Sequence, residues 1–287
     1  MEASRSAPVA VLKFGGEVVA ERTRLGAVMR EVAALRSRGW SFVLCHGGGP
    51  QASALQLRLG MESTKVRGVR VTDLSTLQVM KQVLAGEVST DVVATALAAG
   101  IDAVGLSGVS AELVRSRRKA PVEVPGQSAP VDYGCVGEVE QVRAELFRKL
   151  LALGLTPVLN SLTVAETRAE SGGPRTVLNV NADDVASAVA GALGADHLFL
   201  MTGVPGVLRD KEDPTSRIPR MTPGEARAAI AEGVVVGGMI PKVEGALAQI
   251  ARGVGQVHIL GAGEGSLQQE AQEPGSVGTV FVRDIEA

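Results

Sequence analysis

The sequence is poor in cysteine, aromatic residues and net charge, and each shortage argues against a class of protein. Two cysteines, Cys45 and Cys135, in 287 residues are too few for a scaffold held together by disulfides. Aromatic residues make up only 2% of the chain, so Val, Leu, Ile and Ala must build the core. The formal net charge of −2 offers no basic footprint for nucleic acid, and we expect no nucleic-acid partner.

Long apolar runs and several familiar catalytic signatures are also missing. No run reaches the roughly 18 apolar residues of a membrane span, and the start MEASRSAP does not resemble a signal peptide. We therefore expect no membrane partner and a cytoplasmic location. The sequence has no GxxxxGK[ST] P-loop, no GxGxxG fingerprint, no GxSxG elbow and no HExxH or CxxC spacing. These absences argue against P-loop enzymes, dehydrogenases, serine hydrolases and any metal bound by protein side chains.

The main positive feature is a series of short apolar runs that alternate with helical patterns. The runs cover residues 9–14, 42–46, 102–107, 156–162, 175–180, 196–202 and 256–260. Such alternation is typical of β/α units around a mostly parallel sheet. Two stretches differ from it: a polar β-hairpin is predicted at 61–73, and an irregular or antiparallel excursion at 115–142. The polar stretch 165–176 is the best candidate for a boundary between two lobes.

Glycine is abundant, at 35 of 287 residues, and it clusters where predicted strands end. These clusters are Gly15-Gly16, Gly47-Gly48-Gly49 and the GVPG stretch at 203–206. Ligands of open α/β sheets bind outside the carboxyl ends of strands, where glycine lets backbone N–H groups approach an anion. Pro50 suits the first turn of a helix, so HGGGP predicts a strand–loop–helix element that binds phosphate-like groups.

Charged residues occur at comparable junctions. Lys13 ends the first apolar run, and Lys242 lies at the start of a predicted helix, where it opposes the helix dipole and needs an anion nearby. Asn179, Asn181 and Asp183 share a strand-to-helix junction, and N-capping explains only one of the three.

The arginines of the predicted hairpin suggest an acidic substrate. Arginine is suited to bidentate capture of a carboxylate, so Arg67 and Arg70 are both candidates. Glycine loops, two lysines and an aspartate together provide what phosphoryl transfer needs without a P-loop. That reaction depends on positioning and on charge stabilisation by lysines, backbone N–H groups and Mg²⁺.

The ordered motifs also carry a family resemblance. KFGGE, HGGGPQ, GVRVTD, VGLSG, VGEV, NVNADD, VPGVL and GGMIPKVEGAL occur in sequence between residues 9 and 282. They resemble the motifs of the N-acetylglutamate kinases, in the amino-acid kinase family. The resemblance implies an α/β fold, a three-layer αβα sandwich with a mainly parallel central sheet, as a single domain over 1–287. It implies an N-lobe at about 9–175 for the acyl amino acid and dimerisation, and a C-lobe at about 176–287 for the nucleotide.

The resemblance also implies roles for individual residues. Lys13 and Lys242 match two lysines that stabilise the transferring phosphoryl group, and Asp183 matches the aspartate that holds them in place. The implied backbone donors to that group are Gly15, Gly16, Gly47 and Gly48. The implied substrate-binding residues are Arg70, Asn179 and Gly48, with the 61–73 hairpin as a lid. The implied nucleotide-binding residues are Gly203, Val204, Gly206, Met239 and Lys242.

The implied reaction transfers a phosphoryl group from ATP to the side-chain carboxylate of N-acetyl-L-glutamate. The product is N-acetylglutamyl 5-phosphate, an intermediate of arginine biosynthesis, and Mg²⁺ is expected to bind through the nucleotide. Arginine-inhibited members resemble ring hexamers with an additional N-terminal helix. Only twelve residues precede Lys13, too few and too polar for that helix, so an arginine-insensitive homodimer is expected.

Several positions depart from the family pattern. Glu17 stands where relatives carry Asn, and Gly203 replaces a carboxylate on the nucleotide side. VST at 88–90, SGVSAEL at 107–113 and NSL at 160–162 also differ. The alternatives are a related kinase acting on glutamate or on aminoadipate, including a carrier-bound form, and a kinase-fold sensor without turnover. The RVTD motif favours acetylglutamate, and the retained lysines and aspartate weigh against a sensor.

Overall fold

The computed structural model describes residues 7–126, 128–165 and 176–284. The strands in these ranges are β1 (Val9–Phe14), β2 (Ser41–His46), β3 (Lys65–Val66), β4 (Val69–Arg70), β5 (Ala103–Ser107), β6 (Val114–Arg118), β7 (Gly137–Val142), β8 (Thr156–Asn160), β9 (Leu162–Ala165), β10 (Val177–Asn179), β11 (His197–Thr202), β12 (Arg220–Met221), β13 (Gln256–Gly261) and β14 (Thr279–Phe281). The predicted lobe boundary at 165–176 lies almost entirely outside the described residues. The division into lobes therefore stays a prediction.

The α-helices alternate with these strands as the sequence pattern predicts. They are α1 (Gly16–Ala20), α2 (Arg22–Arg36), α3 (Gly49–Arg58), α4 (Leu74–Met80), α5 (Ser89–Ala98), α6 (Ala144–Ala152), α7 (Ala182–Leu193), α8 (Pro223–Ala231), α9 (Ile240–Ala251) and α10 (Ser266–Gln272). A π-helical segment, Lys81–Val88, joins α4 to α5, and a 3₁₀ turn, Gly237–Met239, precedes α9. In the described part of the chain, no helix has the length and apolar character to cross a membrane.

The central layer is an eight-stranded sheet with the order β12-β14-β13-β11-β1-β2-β8-β5. Neighbours from β13 to β5 pair in parallel, and β14 runs antiparallel to β13. One core cluster packs α6, α7 and α9 on one face, and a second packs α2, α4 and α5 on the other. This is a three-layer αβα sandwich with a mainly parallel sheet, so the predicted fold class is confirmed.

The apolar runs are continuous because the central strands are buried on both faces. In β1, Val11 belongs to one core cluster, while Ala10, Leu12 and Phe14 belong to the other. A strand with one wet face would alternate apolar and polar residues, and β1 does not. Helices on both sides of the sheet therefore explain how a chain with so few aromatic residues fills its core.

Two predicted strands differ from expectation. The run 156–162 breaks at Ser161, so β8 stays in the central sheet while β9 enters a second sheet of order β10-β9-β6-β7. The run 175–180 contains β10, which pairs antiparallel with β9. The expectation that this run joins the parallel sheet is wrong. β10 is the next strand after β9 in the chain, and antiparallel pairing of successive strands needs no helical crossover.

The two polar excursions adopt the predicted antiparallel form and contact each other. β3 pairs with β4 in the 61–73 hairpin, and β6 pairs with β7 in the 115–142 excursion. The N–H of Thr72 donates to the Tyr133 carbonyl at 2.9 Å, and the N–H of Cys135 donates to the Thr72 carbonyl at 2.6 Å. These bonds attach the base of the hairpin to the second sheet.

Candidate active site

Three neighbouring strands of the central sheet end at glycine. β11, β1 and β2 lie side by side, and Gly203, Gly15 and Gly47 follow them in the sequence. Carboxyl ends of parallel strands share one edge of a sheet, which is where open α/β folds bind ligands. The glycine clusters that the sequence analysis singled out therefore lie at one edge.

The first two glycine loops pack directly against each other. The N–H of Gly47 donates to the Phe14 carbonyl at 3.1 Å. A Cβ added to Gly16 would lie 2.7 Å from Pro50 Cδ and 3.1 Å from Gly48 Cα. A Cβ added to Gly48 would lie 2.7 Å from Leu84 Cδ2 of the π-helical segment. Glycine is needed at these two positions because the neighbouring atoms leave no space for a side chain.

Carbonyl groups in these loops accept hydrogen bonds, which fixes their orientation. Because each peptide is planar, the direction of the N–H group of the next residue is fixed as well. The Gly15 carbonyl accepts from the N–H of Val18 at 3.2 Å, inside α1. In a trans peptide the next N–H points the opposite way, so the Gly16 N–H points away from the helix. The Gly47 N–H, in contrast, donates to the Phe14 carbonyl, although the family resemblance implied that it donates to a phosphoryl group.

His46 holds the second loop. Its Nδ1 lies 3.0 Å from the Gly47 carbonyl. Burial lowers the pKa of His46 to about 4, more than the hydrogen bond to Gly47 raises it, so the ring is neutral near pH 7. A neutral ring beside a carbonyl oxygen carries its proton on the nearer nitrogen, so Nδ1–H donates to Gly47. The Gly48 N–H then points away from His46.

The structure brings the three predicted catalytic side chains together. Lys13 Nζ lies 2.8 Å from Asp183 Oδ1, and Lys242 Nζ lies 3.2 Å from Asp183 Oδ2. Burial raises the pKa of Asp183, but the two lysines outweigh it, and the net pKa lies below its usual range. Two cations and one anion give this group of three side chains an excess positive charge. Such a group attracts a phosphate.

Capping and turn geometry position these side chains. Asp183 is in the first turn of α7, and Asn181 caps that helix by accepting from the Asp183 N–H at 3.2 Å. Lys242 is in the first turn of α9, which begins at Ile240 directly after the Gly237–Met239 turn and has Pro241 in that first turn. The anion that a lysine at a helix N-terminus requires is therefore Asp183.

Arg70 is a buried cation with neutral partners. Its guanidinium donates to the Gly49 carbonyl at 3.0 Å, to Ser53 Oγ at 2.8 Å, and to Gln56 and Ser63. Burial lowers its pKa, and no carboxylate within the described ranges forms an ion pair with it. A buried charge is costly without a counterion, so the position favours binding of an anion.

Asn179 and Arg70 are joined through Thr72. Asn179 Nδ2 donates to Thr72 Oγ1 at 3.2 Å, and Thr72 Oγ1 donates to the Arg70 carbonyl at 2.9 Å. Arg67, the second arginine candidate, is exposed in the hairpin turn with φ 49°. Burial therefore distinguishes the two arginine candidates of the hairpin and favours Arg70, the one that the family resemblance implied.

The predicted nucleotide-binding residues lie in two more exposed segments. Gly203 and Val204 are exposed, and Thr202 Oγ1 donates to the Val204 carbonyl at 2.9 Å. Gly206 has φ 157°, and a Cβ there would lie 2.6 Å from Thr279 Oγ1. Met239 is half-buried in the turn before α9.

Glu17, the departure in the first loop, lies directly over Gly15. A Cβ added to Gly15 would overlap the Glu17 carboxylate, so the side chain folds back onto the loop. The carboxylate brings negative charge to a region whose lysines attract phosphate. The structure thus gives the location of Glu17, and nothing in it explains why Glu replaces Asn.

Sequence reasoning missed the side chains that support the site. Gln51, Ser53 and Gln56 on α3 bond to Gly16 or Arg70, and His46 bonds to Gly47. Gln51 is part of the HGGGPQ motif, and Ser53 and Gln56 are three residues apart on one helix face. The motif and the helical spacing were the signals that could have pointed to these side chains. They were missed because the hydrogen-bonding partners are backbone carbonyl groups or side chains that are distant in the sequence.

Comparison with known proteins shows the family of the chain. The amino acid kinase family model matches residues 8–261. Acetylglutamate kinase of Sorangium cellulosum is 45% identical over 289 aligned residues, covering 98% of this chain and 99% of that protein. Acetylglutamate kinase of Anaeromyxobacter dehalogenans is 44% identical over 277 residues, covering 96% and 98%.

A solved structure of Giardia carbamate kinase has a TM-score of 0.71 and covers 97% of this chain and 100% of that chain. At 15% identity this similarity concerns the fold. The resemblance to acetylglutamate kinases that the motifs indicated is confirmed by relatives that match over nearly the whole chain. The chain belongs to the amino acid kinase family.

Proposed function

We propose that this protein is an ATP-dependent kinase that phosphorylates the side-chain carboxylate of N-acetyl-L-glutamate. The product would be N-acetylglutamyl 5-phosphate, which serves arginine biosynthesis. The observation that carries the proposal is the Lys13–Asp183–Lys242 group beside two glycine loops. Similarity to acetylglutamate kinases over 98% of the chain supports this substrate.

The charged group would act by stabilising negative charge during transfer. Phosphoryl transfer spreads charge over the equatorial oxygens of the moving group, and the protein contributes positioning and electrostatics. Lys13 and Lys242 would contact that charge from two elements, while Asp183 keeps the two ammonium groups from repelling each other. The N–H groups of Gly16 and Gly48 would donate to the same oxygens. The substrate carboxylate is itself the nucleophile, so no covalent enzyme intermediate is needed.

The two ends of the reaction would be held by different parts of the chain. Arg70 and Asn179 would bind the α-carboxylate of the acyl amino acid, with the 61–73 hairpin as its lid. Gly203, Val204, Gly206 and Met239 would line the nucleotide. The surplus positive charge of the two lysines and Asp183 fits ATP phosphates. Mg²⁺ would bind through those phosphates and neutralise part of their charge.

Turnover assays test the proposal directly. Acyl phosphate formed from ATP is trapped with hydroxylamine, using N-acetyl-L-glutamate, glutamate and aminoadipate as acceptors. We expect turnover with N-acetyl-L-glutamate, its loss in Lys13→Met, and its retention in Lys211→Met, where the side chain is 79% exposed. Turnover on aminoadipate or glutamate alone would favour a related kinase. Absence of turnover on all three acceptors would favour a binding protein without catalysis.

The proposed assembly is an arginine-insensitive homodimer. It rests on the family resemblance of the ordered motifs. Light scattering on the purified chain distinguishes a dimer from the ring hexamer of arginine-inhibited relatives, and a hexamer would contradict the proposal.

A further inference from the structure

Gln51, in the first turn of α3, reaches from the second glycine loop to the first. Its Nε2 donates to the Gly16 carbonyl at 2.7 Å. A Cβ added to Gly16 would lie 2.5 Å from Gln51 Oε1, so the side-chain amide packs directly against that glycine. Gln51 is not among the residues assigned above to catalysis, to substrate binding or to nucleotide binding.

The bond matters because the two loops carry N–H groups that must act on one phosphoryl group. Among the described residues, two hydrogen bonds join these loops: Gly47 N–H to the Phe14 carbonyl at 3.1 Å, and Gln51 Nε2 to the Gly16 carbonyl. The first joins the loops at their strand ends, and the second joins them where α1 and α3 begin. Together the two bonds restrain both the separation of the loops and their rotation against each other.

The carbonyl that Gln51 holds also fixes the peptide that follows it. Gly16 is the first residue of α1, so its carbonyl orientation sets the start of that helix and the direction of the Glu17 N–H. His46 does the same for the peptide between Gly47 and Gly48. Each loop thus has one carbonyl held by a side chain from the β2–α3 segment.

We propose that Gln51 is a positioning residue for phosphoryl transfer, which sets the separation and angle of the two glycine loops. The inference rests on the proposed kinase function. Gln51 acts through Gly16 and would touch neither substrate. A misplacement of about 1 Å at a reacting centre can lower a rate about 100-fold. Because alignment counts most in the transition state, the loss should fall on kcat and leave KM nearly unchanged.

Two substitutions separate positioning from general damage. Gln51→Leu removes the donor at similar size, and we expect kcat to fall about 10-fold to 100-fold. KM for ATP and for N-acetyl-L-glutamate should stay within about threefold of wild type. Thermal unfolding of each variant shows whether the fold is kept.

The pH dependence of kcat in Gln51→Glu is a measurement that a purely structural role of Gln51 would leave unchanged. An ionised carboxylate cannot donate to the Gly16 carbonyl, whereas a protonated carboxyl can. Partial burial raises the pKa of a carboxyl, so the protonated fraction at this position should grow as the pH falls from about 8 to about 6. The ratio of variant kcat to wild-type kcat should therefore rise over that range, while the ratio for Gln51→Leu stays flat. Gln78→Glu, the same change at an exposed position of α4, should keep a ratio near one throughout.

The outcomes distinguish this inference from the function on which it rests. Wild-type protein without turnover would overturn the proposed function and this inference with it. Wild-type turnover with unchanged kcat in both Gln51 variants would overturn the inference alone. A flat ratio for Gln51→Glu, or a loss confined to KM, would overturn it as well. If Gln51→Leu does not fold, the pH dependence of Gln51→Glu decides the question.

Discussion

Arg70, on the proposed acyl amino acid side, and the Gly237–Met239 turn, on the proposed nucleotide side, are held by the fold to different degrees. Arg70 is buried, and its guanidinium has four hydrogen-bonding partners. Gly237 and Gly238 are exposed, and the turn closes through a 3.2 Å bond from the Met239 N–H to the Val236 carbonyl. Arg70 is therefore held by tertiary contacts, whereas the Gly237–Met239 turn is held by local backbone geometry.

The two lysines repeat this difference. Lys13 is on a central strand with a side chain 11% exposed, and Lys242 is on a helix start with a side chain 30% exposed. Asp183 bonds to both, so one carboxylate links the buried side to the exposed side. We therefore expect kcat to depend on both sides. We expect the KM for each substrate to depend only on the side that binds it.

Replacing Lys242 should produce the largest effect. We expect Lys242→Ala to lower kcat about 100-fold or more, with little change in KM. The reason is that the negative charge on the phosphoryl group, which Lys242 would stabilise, develops in the transition state. Steady-state kinetics with both substrates varied provide the measurement, and Lys211→Ala is an exposed control. An unchanged kcat would show that the exposed side contributes only to substrate affinity. The expectation that both sides take part in catalysis would then be wrong.

Replacing Arg70 should have a smaller and more selective effect. Arg70→Lys keeps the charge and loses the planar fork, so we expect the KM for N-acetyl-L-glutamate to rise about tenfold while the KM for ATP stays the same. Arg67→Lys, on the same hairpin but exposed, is the matched control and should leave both constants unchanged. If Arg67→Lys raised the KM for the acyl amino acid instead, burial would be the wrong criterion for choosing between the arginines.

A change in the exposed turn should have the smallest effect, on the other substrate. Gly237 has φ 56°, in the left-handed region, where a Cβ costs about 1–2 kcal/mol. We expect Gly237→Ala to raise the KM for ATP about threefold to tenfold without altering the KM for the acyl amino acid. Gly238→Ala is the control, since its φ lies outside that region and a Cβ there would meet nothing within 4 Å. Equal effects at both positions would show that backbone geometry is not what this turn contributes.

Much of the site was predictable because its signals are local. A strand, a glycine pair and a helix start leave a pattern within about a dozen residues, so Lys13, Gly16, Gly48 and Asp183 could be selected from the printed sequence. Pro50 and Pro241 marked two helix starts for the same reason. The antiparallel pairing of β10 was not predictable, because a three-residue strand has no periodicity that distinguishes one sheet from another.

By itself, the sequence determined the alternating fold class, the glycine loops at strand ends and the charges that phosphoryl transfer needs. Only the tertiary structure decided that Arg70 rather than Arg67 is buried, that the Gly47 N–H is bonded to Phe14, and that Gln51 joins the two loops. The physical reason is the separation in sequence between the residues that interact. Periodicity and turn chemistry are written in consecutive residues, whereas burial and hydrogen-bond partners depend on which distant segments the packed sheet brings together.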